Sequence, residues 1–135
     1  MKSLTVPAKT EYMPQVNGFI DTQLDALDCP TAAKIQIDLA VEEIFVNIAS
    51  YAYGVEDGKA ETRCEVQEDP VQVVIQFLDN GQPYDPLARE EADTSPEAIM
   101  GRVGGLGILL VKKTMDDVQY AYEGGRNILT IQKKL

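Results

Sequence analysis

Glu43 and Asn47 stand four residues apart in the segment Glu43-Ile44-Phe45-Val46-Asn47, a spacing that stacks an acid and an amide on one side of a helix. An amide oxygen beside a carboxylate suits hydrated Mg²⁺, which takes oxygen ligands and keeps several of its waters. The carboxylate can also orient or deprotonate an attacking hydroxyl or water. Glu42 points about 100° away around the helix, so the two adjacent acids are not interchangeable. Alone, the pair fits a solvated polar face better than a site.

Two further segments bear on the same chemistry. Phe77-Leu78-Asp79-Asn80-Gly81 sets an acid at the mouth of an apolar strand. A carboxylate there accepts from an exocyclic amine, which selects adenine, and Gly81 lets the backbone approach a flat ring. The same tripeptide is also good turn sequence. Gly101-Arg102-Val103-Gly104-Gly105-Leu106-Gly107 precedes a helix, so its N–H groups and the helix N-terminus can hold phosphates, with Arg102 as a local cation. It is no Walker loop, because no Gly-Lys-Ser/Thr follows, and no strand runs directly into it as a dinucleotide fingerprint requires. In this order the three segments describe a nucleotide site with a metal and a water-activating carboxylate.

These residues need elements to position them. Residues 2–7 alternate as an edge strand ended by Pro7, and a helix over Tyr12–Leu27 gathers Val16, Phe19, Ile20, Leu24 and Leu27 on one side. Asp28-Cys29-Pro30-Thr31 breaks the chain before a helix over 31–52. Its stripe of Ile37, Val41, Ile44, Ile48 and Tyr51 has the strongest periodicity in the sequence. Strands are predicted over 60–67 and 71–78, with Val71, Val73, Ile75 and Phe77 on one face, then a long lid-like loop from Asp79 to Arg102. A short helix over Leu106–Met115 and a hairpin of Val118–Tyr122 and Ile128–Gln132 across Gly124-Gly125 complete the chain. The order predicts an α+β fold, a two-layer α/β sandwich whose mostly antiparallel mixed sheet carries its helices on one face.

Composition narrows the classes. The 135 residues predict one domain over 1–135, 44% hydrophobic and 25% charged. With no histidine, Ser-His-Asp triads, histidine metal sites and histidine phosphoacceptors are excluded. A net charge of −10 argues against a nucleic-acid partner and for a protein partner with basic patches. No membrane span or secretory signal is legible, so a cytoplasmic location is expected. Cys29 and Cys64 are expected to be reduced thiols.

The three segments resemble the N, G1 and G2 boxes of the Bergerat-fold (GHKL) ATPases, through Glu43-x-x-x-Asn47, Asp79-x-Gly81 and Gly105-x-Gly107. Within that superfamily the chain is most similar to the anti-sigma-factor serine/threonine kinases over nearly its whole length, from Ile37–Ala49 through Asp79–Pro86 and Gly104–Asp116 to Gly125–Thr130. The resemblance implies Glu43 as general base, Asn47 as the Mg²⁺ ligand, Asp79 as the adenine reader and Gly81 as its close-approach partner. It also implies Gly104, Gly105, Leu106 and Gly107 at the phosphates, with Arg102 nearby. Asn127 stands where the family often has a threonine near the adenine-reading acid. Two features depart from the family: Tyr51-Ala52-Tyr53-Gly54 lacks its histidine after the N box, and the lid over Leu87–Met100 is acid-rich. The implied activity is ATP- and Mg²⁺-dependent phosphorylation of an anti-sigma-factor antagonist by a homodimeric kinase that also sequesters a sigma factor. A nucleotide-binding regulatory module without kinase activity is the alternative.

Overall fold

The computed structural model describes residues 1–52, 58–68, 70–88 and 105–135. Along the chain run β1 (Lys2–Pro7), α1 (Met13–Asp25), α2 (Thr31–Tyr51), β2 (Lys59–Gln67), β3 (Gln72–Asp79), α3 (Gly105–Thr114), β4 (Asp117–Glu123) and β5 (Arg126–Lys134). Short 3₁₀ turns occupy Thr10–Tyr12 and Pro86–Ala88. The strands form one sheet in the order β1-β2-β3-β5-β4, and each neighbouring pair is antiparallel. Among the described residues the sheet therefore has no parallel pair, and the fold is α+β as its pattern predicts.

Strand register decides which side chains reach the core. Phe77 lies between Thr62 and Leu129, and Ile75 between Cys64 and Ile131. Because strand residues alternate between faces, these rows share one face, and all six side chains are buried. Val71 is exposed, since β3 begins only at Gln72. The opposite face is mostly polar: Glu61 accepts from Arg63 Nε at 2.6 Å and lies 3.7 Å from Arg126.

Helix α2 is buried along Ile37, Val41, Ile44 and Ile48 of the expected stripe, whose Tyr51 side chain lies outside those described, and Ala33, Ala40 and Phe45 widen it. The extra width arises because α2 packs against both α1 and α3 as well as the sheet. Each large apolar side chain enclosed this way contributes about 1.5–3 kcal/mol. Helix α1 buries Met13, Val16, Ile20 and Leu24, leaving Phe19 and Leu27 half-covered at the edge. Its end is turned by Asp28 in the left-handed region (φ 52°), which lets Cys29 N–H reach Leu24 O at 3.2 Å. At the β4–β5 turn, Gly124 and Gly125 both take positive φ (60° and 76°), as a two-residue hairpin loop of matching twist requires.

Cys29 and Cys64 are both free thiols, and burial pushes Cys64 up to about 11. Among the described residues no helix is long and apolar enough to cross a membrane.

Candidate functional site

The ends of α2, β3 and β5 converge on a pocket of about 430 Å³, open mouth included. Ile44, Ile48 and Ala52 of the α2 segment, Phe77 of β3 and Leu129 of β5 make its apolar walls, with Tyr84, Pro86 and Tyr120 around them. Among the described residues, its acid and amide side chains are Asn47, Asp79 and Asn127. A mostly apolar cleft of this size with a handful of placed polar groups is the usual form of a small-molecule site.

Asp79 and Asn127 meet because the antiparallel register of β3 and β5 places them directly opposite. Both are buried, at 6% exposure each, so each must find partners. Asn127 Nδ2 donates to Asp79 Oδ1 at 2.9 Å and to the Gln82 carbonyl at 2.8 Å. Its Oδ1 accepts from Tyr84 N–H at 3.1 Å and from the Tyr120 hydroxyl. Gly81 N–H adds a second donor to Asp79 Oδ1 at 2.9 Å. Burial pushes the Tyr120 phenol up from its ordinary value, against a smaller downward effect of the Tyr84 backbone, so it stays protonated near neutral pH.

Gly81 lies hard against the end of α2. A Cβ built on it would lie 2.1 Å from the Ala52 carbonyl oxygen, an impossible contact, and Gln82 N–H bonds that same oxygen at 3.0 Å. The glycine is thus required for the turn after β3 to seat on the end of α2. From there Lys112 of α3 reaches the Leu87 carbonyl at 3.3 Å, so three elements hold the segment beside the pocket.

Of the residues singled out from sequence, Asn47, Asp79 and Asn127 come together around the pocket, with Gly81 bonded to Asp79. Glu43 lies one turn before Asn47 on α2, half-buried and outside the pocket lining. Gly105, Leu106 and Gly107 form the first turn of α3, which buries Ile108 and Val111 and packs against α2. Arg102, Gly104 and most of the lid fall outside the described residues. Sequence reasoning missed Tyr84 and Tyr120. Alternation within β4 carries the signal for Tyr120, since it pairs with Leu129 and must share its face.

The donor set bears on a metal. Among the described residues no group of three or more acids, histidines or cysteines is gathered. A single amide with one acid a turn away cannot cage an ion. It does fit Mg²⁺ held mainly by water and by the phosphates of a ligand.

Residues 6–133 match the histidine kinase-like ATPase domain family. The chain is 30% identical over 132 residues to the serine-protein kinase RsbW of Listeria monocytogenes, covering 94% of this chain and 83% of that protein. It is 29% identical over 126 residues to the RsbW of Halalkalibacterium halodurans, covering 90% and 76%. In structure it resembles the histidine kinase AdeS of Acinetobacter baumannii, with a TM-score of 0.53 at 15% identity over 99% of this chain and 68% of that one. That likeness carries the fold alone. The match over nearly the full length, together with the α2–β3–β5 pocket, places this chain in the histidine kinase-like ATPase domain family.

Proposed function

We propose that this protein is an ATP-dependent serine/threonine protein kinase of the anti-sigma-factor type. It binds ATP with Mg²⁺ and phosphorylates an anti-sigma-factor antagonist. It works in the cytoplasm as a homodimer and sequesters a sigma factor as its second partner. The observation that carries this reading is the convergence of Asn47, Asp79 and Asn127 on one apolar pocket, in a chain similar to RsbW serine-protein kinases over most of its length.

In this reading the base lies against Phe77 and Leu129, with Asp79 accepting from its exocyclic amine. Asn47 would hold Mg²⁺, which when bound would offset phosphate charge. Gly104, Gly105, Leu106 and Gly107 supply N–H groups to the phosphates, with Arg102 as the nearby cation. Glu43 takes the proton of the substrate hydroxyl as its oxygen bonds the γ-phosphorus and the bond to the β-phosphate oxygen breaks, releasing ADP. Glu43 thus serves chemistry, while Asp79 serves binding.

That division is the test. Calorimetry with ATP and ADP, in Mg²⁺ and in EDTA, should show ATP binding that magnesium strengthens and Asp79→Ala abolishes. Glu43→Ala should bind ATP as the parent does, while transfer of γ-phosphate to a serine-containing antagonist protein falls by about a hundredfold or more. Absence of ATP binding under every condition would overturn the proposal.

A further inference from the structure

The polar wall behind Asp79 is built from groups whose donor and acceptor roles are fixed. The Tyr84 backbone can only donate to Asn127, and the Gln82 carbonyl can only accept from it. These two settle the orientation of the Asn127 amide, with Oδ1 toward Tyr84 and Nδ2 toward Gln82 and Asp79. The Tyr120 hydroxyl donates to the same Oδ1, reinforcing that orientation from the pocket side. Asp79 Oδ1 then receives two donors, Gly81 N–H and Asn127 Nδ2. Among the described residues no donor reaches Oδ2, which is left to a ligand.

We propose that Asn127 and Tyr120 are positioning residues for base selection: by committing Asp79 Oδ1, they leave Oδ2 to act only as an acceptor. A base with an exocyclic amine is then accepted, and one with a carbonyl at the same place is refused, because two acceptors would face each other without a proton. Asn127 acts through Asp79 and Tyr120 acts through Asn127. The inference rests on the nucleotide reading above and assigns the source of its selectivity.

The distinguishing variant is Asn127→Asp, which keeps the shape and the bonds from Tyr84 and Tyr120 but replaces a donor with a second carboxylate 2.9 Å from Asp79. Two carboxylates that close share a first proton between their facing oxygens, and a second, taken up at lower pH, falls on Asp79 Oδ2, which can then donate to a carbonyl. Binding of ATP and of inosine triphosphate, which carries a carbonyl in place of the amine, is measured by calorimetry across pH. The parent should prefer ATP across the neutral range. Asn127→Asp should lose that preference progressively as pH falls, through a gain in inosine triphosphate affinity. Tyr120→Phe should narrow the preference by about threefold to tenfold, the value of one hydrogen bond, without a pH trend.

A preference unchanged in both variants, or equal loss of both nucleotides, would overturn the assignment and reduce the residues to packing. Failure of the parent to bind either nucleotide would instead sink the nucleotide reading. As a control independent of nucleotide, the Asn127 side-chain amide protons of the parent should exchange slowly in NMR spectra, and faster in Tyr120→Phe. Equal exchange rates would also count against the proposal.

Discussion

Two polar clusters lie inside this small domain, and they are solved in opposite ways. Between β3 and β5, Asp79 and Asn127 are matched acceptor to donor, and every bond of Asn127 has a partner of the right kind. Between α1 and α2, Oδ1 of Asn17, of Asp21 and of Asp38 is buried with no partner among the described residues. Burial, and next the neighbouring Asp21 carboxyl, push Asp38 up to about 7, with Lys34 opposing and Asp25 adding to the rise. Lys34 instead bonds Asp25 at 2.9 Å on the exposed rim. Strand register brought an amide against an acid, whereas helix packing brought an acid against an acid. The first cluster leaves over only Asp79 Oδ2, whereas the second pairs its acids only while it keeps a proton.

The largest expected effect breaks the complete cluster. Gly81→Ala would force a Cβ into the Ala52 carbonyl, displace the Gly81 N–H from Asp79 and cost about 3 kcal/mol, read as a lowered denaturation midpoint. A change below about 0.5 kcal/mol would show that the turn yields easily.

The next makes the incomplete cluster resemble the complete one. Asp38→Asn gives Asp21 an amide donor, so above pH 7 the variant should be more stable than the parent by about 1 kcal/mol. The sign of the pH dependence follows from the raised value. The folded state holds the Asp38 proton from the ordinary value of 3.8 up to about 7, whereas the unfolded chain has released it. Stability of the parent should therefore fall as pH rises through that window. Asp38→Asn should flatten this slope, and thermal melts at half-unit steps would show an unchanged slope if the pairing is wrong.

The smallest effect sharpens the contrast. Lys34→Ala removes the cation that holds the Asp38 proton affinity down, so the same window should extend upward in pH. Below pH 5 the melting temperature should match that of the parent.

Sequence and structure agree most where one element suffices. Period two placed Asp79 at the end of a buried strand, and helical spacing placed the Ile37–Ile48 stripe in the core. Agreement thins where two distant elements decide. That Asn127 faces Asp79 depends on the register of strands 48 residues apart, which no local pattern encodes. Asp38 lies off the apolar stripe, and no local pattern tells that it is set against Asp21 of α1. Gly81 was legible as a place of close approach, whereas the Ala52 carbonyl against it belongs to a distant element that no local pattern names. The glycine loop was legible as a motif, although only its last three residues lie among those described.

The Gly124-Gly125 turn has a consequence for time. It brings β4 and β5 together across a two-residue loop, an encounter on the order of microseconds for a hairpin. Asn127 is then in place two residues past the turn, while Asp79 must return across a 48-residue separation at much greater entropic cost. Folding should therefore finish the hairpin first and the Asp79–Asn127 wall last. In pulse-labelled refolding, amides of the β4–β5 ladder should be protected before those of Gly81 and Tyr84.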